Sequence, residues 1–148
     1  MVGVVSKPDT EQKLRILSTD AQYDLACACG TKNDLGRQRG ENGSWVYPIA
    51  LPNGGKSVLF KTLMSNVCNS DCKYCPLREQ QDIRRCSLNI DETVNVFMDY
   101  YRRREVFGLF LSSGVTSSAD KTMERLIGTA RLFLWICWAT TLMLTIKP

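Results

Sequence analysis

The sequence predicts an α/β fold built on a parallel sheet, and three observations carry that expectation. Residues 58–64 form a β-rich apolar run, and residues 107–111 form a second, nearly continuous one, as strands of a buried parallel sheet do. Between them, Ile90, Val94, Phe97, Met98 and Tyr101 recur at helical spacing. A further helical pattern begins at Asp120, with Met123, Leu126, Ile127 and Ala130 as its stripe. Strand, loop, helix, strand, helix is the opening of a parallel α/β barrel. The organisation expected is a helical and loop lead-in over 1–56, a core of two βα units over 57–131, and an atypical apolar tail over 132–148.

In chain order, Pro8, Asp9 and Thr10 make a helix entry with Asp9 or Thr10 as the N-cap. Residues 11–17 should form a short helix with Leu14 and Leu17 turned inward. Cys27 and Cys29 form a C-x-C pair without a second pair or carboxylate cluster nearby, so they read as ordinary packed thiols before they read as ligands. Residues 31–43 carry Lys32, Arg37, Arg39 and several glycines without periodicity, which argues a surface loop. The sharper alternative is a mobile basic lid over a nucleic acid. Gly54-Gly55-Lys56-Ser57 suggests a phosphate loop but fails the test, because Ala50 stands where the first glycine is needed and a strand follows instead of preceding. Asn53-Gly54-Gly55 is a turn feeding the first core strand.

Asn89 reads as the N-cap of the central helix, with Glu92 three residues on completing a capping box. Arg102, Arg103 and Arg104 close that helix, where cations suit the dipole. The second strand ends in Ser112-Ser113-Gly114. Beyond Arg131 the helical pattern gives way to an apolar run that ends at Ile146. It is shorter than the roughly 20 residues that span a bilayer, so no stable membrane association is expected.

Composition narrows the chemistry. The chain has 148 residues, 44% hydrophobic and 23% charged, as one globular domain has. A net charge of +4 permits contact with nucleic acid without arguing for it. Seven cysteines without a secretory leader point to reduced thiols and a cytoplasmic setting. The absence of histidine excludes Cys/His zinc fingers, a histidine general base and every histidine-bearing triad.

The chemistry concentrates at Cys68, Cys72 and Cys75, a C-x3-C-x2-C triplet with Tyr74 just before its last cysteine. Three thiolates in eight residues can fold over one face of an iron–sulfur cube. A [4Fe–4S] cluster normally takes four cysteines, so three leave one iron open, as catalytic zinc keeps an open position. Two other readings stand beside it. One is a zinc site with Cys86 as the fourth thiolate, although a second C-x2-C pair is missing. The other is a redox dithiol at Cys72 and Cys75, which needs the pair to open a helix and leaves Cys68 without a role.

The spacing and Tyr74 resemble the signature of the radical S-adenosylmethionine (SAM) superfamily. With the flanking residues 47–54 and the loop Cys68-Asn69-Ser70-Asp71-Cys72-Lys73-Tyr74-Cys75, the chain resembles its DNA modification and repair proteins. The resemblance covers 11–131 and implies the N-terminal part of a partial (β/α)6 TIM-like barrel, here incomplete. It implies a [4Fe–4S] cluster on Cys68, Cys72 and Cys75, with SAM chelated at the open iron and cleaved to a 5′-deoxyadenosyl radical. By the same resemblance, Tyr74 lies beside the adenine and Ser112, Ser113 and Gly114 occupy the place of a Gly-Gly-Glu-like SAM-binding motif. The acidic residue of that motif is missing, which leaves main-chain contacts possible and removes the carboxylate one. An electron donor of flavodoxin or ferredoxin type and DNA are the implied partners. The later strands of the barrel are absent, so the tail reads as a product of truncation or frame shift. An unpaired sheet edge and an inactive remnant are expectations that accompany that reading.

Overall fold

A computed structural model describes residues 8–23, 38–39, 45–50 and 53–145, with 38–39, 45–50, 56 and 140–145 described by backbone alone. Helix α1, Thr10–Asp20, starts where Asp9 accepts a hydrogen bond from the Gln12 N–H at 2.7 Å. That carboxylate satisfies one of the orphan donors of the first turn. The helix runs past the expected Leu17 to Asp20 and tightens into a 3-10 turn, Ala21–Tyr23. Leu14, Leu17 and Ala21 are buried on its inner face, as expected for the two leucines.

Four strands follow: β1 (Gln38–Arg39), β2 (Trp45–Ala50), β3 (Lys56–Leu63) and β4 (Gly108–Ser112). They lie in the order β1-β2-β3-β4. The first two pairings are antiparallel, and β3 with β4 is parallel, with Leu59 opposite Gly108 and Leu63 opposite Ser112. The described part of the chain is therefore a mixed α/β fold. Two strands lie inside a lead-in expected to be helix and loop, which corrects that expectation. The reason is visible at Pro48, which argues against a central strand. Among the described residues, β1 pairs only with Trp45 and Val46 of β2, so Pro48 has no described ladder partner on that side, where the imide is tolerated. The turn before β3 is as expected: Gly54 has φ 82°, and the Asn53 side chain accepts from the Gly55 N–H at 3.4 Å.

Helix α2, Ile90–Arg102, is fixed by the predicted capping box. Asn89 accepts from the Glu92 N–H at 2.7 Å and the Asn89 N–H donates to the Glu92 carboxylate at 2.8 Å. Thr93, Val94, Phe97, Met98 and Tyr100 form its buried face. Tyr101, expected inside, is exposed, and Tyr100 takes its place by stacking on Phe60 with ring centroids 5.0 Å apart. β3, α2 and β4 together make one parallel crossover unit. Glu92 also ties α2 to α1, accepting from Lys13 Nζ at 2.7 Å and Thr10 Oγ1 at 3.0 Å.

Helix α3, Ala119–Thr145, passes through 131–132 without a break. Phe133 meets Phe97 edge to face at 4.9 Å, so the start of the apolar run is packed against α2. Its inner face is not the expected one. Met123 and Ile127 are exposed, whereas Thr122 and Thr129 are buried. No helix among the described residues is long and apolar enough to cross a membrane.

Candidate functional site

The cysteine loop begins where β3 ends, and its first residues are held from both sides. The Met64 N–H donates to Ser112 O at 2.7 Å, and the Gly114 N–H donates to Ser65 O at 2.7 Å, on the β4 side. The Leu88 N–H donates to Met64 O at 2.9 Å and the Asn66 N–H to Cys86 O at 3.3 Å, on the other side. Beyond them, Asn69 reaches the turn after β4: its N–H donates to Val115 O at 3.0 Å and its side-chain amide to Ser117 O at 2.9 Å. The start of the cysteine loop, through Cys68 and Asn69, and the turn Ser112-Ser113-Gly114 thus meet at the carboxyl ends of the two parallel strands. Ligands of open parallel α/β sheets bind at that end.

Within the loop, a turn brings the Cys75 N–H to Cys72 O at 2.9 Å, and the Leu77 N–H donates to Cys75 Sγ at 3.4 Å. Cys72 is exposed, and Cys68 and Cys75 are half-buried. None of the three is in a disulfide. Tyr74 stands almost fully in solvent, 89% exposed. Asp71 pairs with Lys73 through Oδ2, and its Oδ1 lies 3.6 Å from Arg78 Nε, an ion pair beyond hydrogen-bonding reach. The Ser113 hydroxyl donates to Gly114 O at 2.8 Å. The Ser112 Oγ is buried and has no hydrogen-bond partner among the described residues. Such an orphan is costly unless a further group completes it.

Two residues outside the cysteine pattern, Asn66 and Arg85, hold this region together. Asn66 is fully buried, and its amide donates to Asp20 Oδ2 and Arg84 O, both at 2.7 Å, while its carbonyl accepts from the Cys86 N–H at 2.7 Å. Arg85 binds four main-chain carbonyls on the two flanks of the cysteines. Residues 78–86 are polar and lack regular structure, and their order comes from the Arg85 and Asn66 side chains together with scattered main-chain bonds, a pattern without periodicity.

Cys86 belongs to the core. It is buried, its thiol lies 3.8 Å from Lys13 O, and burial first, then the nearby Asp20 carboxylate, push its pKa up to about 11. A thiol held protonated is a poor metal ligand, so its position does not favour the fourth-thiolate reading. Cys27 and Cys29 lie outside the described residues, as does most of the basic stretch 31–43 apart from β1.

The donor chemistry suits a soft metal: three thiols on one loop, one of them accepting an N–H bond. Among the described residues, no three Cys, Asp or Glu side chains converge on a common metal position. Binding would have to gather the three thiols, as coupled metal binding and folding allows. Comparison with protein-family models, curated proteins and solved structures gave no match.

Proposed function

We propose that this chain is the N-terminal part of a radical SAM enzyme, in which Cys68, Cys72 and Cys75 hold a [4Fe–4S] cluster. The observation that supports this reading is that a C-x3-C-x2-C loop starts at the carboxyl end of β3, with Cys68 packed on Gly114 at the end of β4. When bound, such a cluster supplies an open iron that chelates SAM and the electron that cleaves it reductively to methionine and a 5′-deoxyadenosyl radical. The residues of this chain have simpler tasks. Cys68, Cys72 and Cys75 supply thiolates. Leu77 N–H, already on Cys75 Sγ, stabilises negative charge on that sulfur. Ser113 would offer main chain to a polar ligand beside the loop, while Gly114, its N–H already on Ser65 O, allows the close approach to Cys68. Tyr74, exposed to solvent, is the residue that the resemblance puts beside the adenine.

The wider reading follows the sequence resemblance. The fold is the first part of a (β/α)6 TIM-like barrel, the electron donor is of flavodoxin or ferredoxin type, the substrate is DNA, and the site works in the cytoplasm. Anaerobic reconstitution with iron and sulfide tests the central part. The expected result is about four irons and four sulfides per chain, lost when Cys68, Cys72 and Cys75 are each changed to alanine. One zinc per chain, with no iron retained, would contradict it.

A further inference from the structure

Arg85 sits on no strand or helix, yet it joins more of the loop than any cysteine does. Its Nη1 donates to Asn66 O at 2.5 Å and Leu77 O at 2.7 Å, and its Nη2 donates to Arg78 O at 2.6 Å and Gln81 O at 3.1 Å. Asn66 precedes Cys68, and Leu77, Arg78 and Gln81 follow Cys75. One guanidinium therefore closes both ends of the segment that carries all three thiols.

We infer that Arg85 is the positioning residue that fixes the closure of the Cys68–Cys75 loop and so sets its grip on a metal. The side chain is half-buried and, among the described residues, forms no ion pair with a carboxylate. Its charge is compensated by four carbonyl dipoles instead. A planar fork with five donors can serve four acceptors in fixed directions, whereas an ammonium is a point charge with three rotatable donors. The anchorage behind it runs through the first end of the loop to α1. Asn66 holds Arg84 O and the Cys86 N–H, the residues on either side of Arg85, and is itself tied to Asp20 at the end of α1. Arg85 thus projects onto the two ends of a loop whose interior is closed by the Glu79 N–H on Ser70 O at 3.0 Å and by Arg78 Nη1 on Lys73 O at 3.2 Å, and it alone joins residue 66 to residues 77–81 among the described side chains. Cutting the clamp would leave the thiols to be gathered from a wider ensemble, at the cost of loop closure. Groups that orient ligands from outside the coordination sphere typically change metal affinity by about 10–100-fold.

This inference deepens the cluster reading and rests on it for the nature of the ligand. The test uses the full chain and two variants, Arg85→Gln and Arg85→Lys. Amide hydrogen exchange of the metal-free proteins reports the clamp without any metal. Both variants should exchange roughly tenfold faster over 68–81, with α2 unchanged. Cobalt(II) titration, read by the thiolate-to-cobalt absorption band, should show binding weakened about 10–100-fold in both variants. Unchanged exchange over 68–81 in Arg85→Gln would overturn the inference. So would wild-type cobalt binding in Arg85→Lys, since charge alone would then suffice. Unfolding of both variants would also overturn it, by assigning Arg85 to the whole fold. A wild-type chain with no thiolate–cobalt band would instead defeat the cluster reading and leave the exchange result to decide on the clamp.

Discussion

Gly114 packs directly on Cys68. A Cβ at Gly114 would lie 3.1 Å from the Cys68 Cβ and 2.6 Å from the Val67 carbonyl oxygen. The nearer obstacle is main chain, which cannot rotate away as a side-chain tip can. The end of β4 and the first cysteine are therefore coupled by contact, and a methyl group at one must displace the other.

Gly114→Ala should destabilise the chain by about 1–3 kcal/mol, as overpacking does, and displace Cys68 from its place on the loop. Thermal unfolding reads the first effect and iron retained after reconstitution reads the second. An alanine variant that melts and binds iron like the wild type would show that the contact relaxes freely.

The thiols should separate by reactivity. Burial and Asp20 raise the Cys86 pKa to about 11 from 9.0, whereas Cys72 is exposed. In the native chain at pH 8, iodoacetamide should label Cys72 well before Cys86, followed by mass mapping of the peptides. The sign of the linkage follows from the raised native pKa. The stability that Cys86 contributes as a neutral thiol is fully present below pH 9 and is lost as pH rises towards about 11. Cys86→Ser should flatten that alkaline loss in denaturant titrations.

Glu92 gives the opposite dependence. Burial opposes its ionisation, but the hydrogen bond from Lys13, those from the Asn89 N–H and Thr10, and the Lys13 charge outweigh it, so its pKa lies below 4.5. A carboxylate with a lowered native pKa stabilises the fold above its unfolded value and loses that contribution as pH falls through the native one. Stability should fall on acidification below about pH 4.5 in the wild type and less steeply in Glu92→Gln. Asn89→Ala should cost about 0.5–2 kcal/mol at neutral pH through loss of the cap.

Phe97→Ala should be the most damaging of the core changes considered. Phe97 is 1% exposed and meets Phe133 of α3 edge to face. Deleting its ring should cost about 3–5 kcal/mol, and should loosen α3 as well as α2 in hydrogen exchange. Loss confined to α2 would mean that α3 docks by other contacts.

The sequence was most legible where local chemistry and tertiary packing agree. The α2 cap is the case in point, since Asn89 and Glu92 satisfy each other without help from elsewhere. It was least legible where polarity hides burial. In α3 the buried Thr122 donates to Ser118 O and the buried Thr129 to Arg125 O, both at 2.9 Å. Thr129, its hydroxyl bonded within the helix, packs as a β-branched apolar residue, and Thr122 ties the helix start to the turn by accepting from the Thr116 N–H at 3.1 Å, while Met123 and Ile127 of the expected stripe face out. β2 was hidden by Pro48. At the candidate site the cysteines stand out in the sequence by spacing alone, but Asn66 and Arg85 act on carbonyls of an irregular segment and carry no pattern that could announce them.

The measurement that bears most directly on the central claim is electron paramagnetic resonance of the anaerobically reconstituted, reduced chain, with and without SAM. The expected result is a [4Fe–4S]⁺ signal whose shape changes when SAM is added, as it would if Cys68, Cys72 and Cys75 held three irons and SAM bound the fourth. A cluster signal indifferent to SAM, or no iron signal at all, would contradict it.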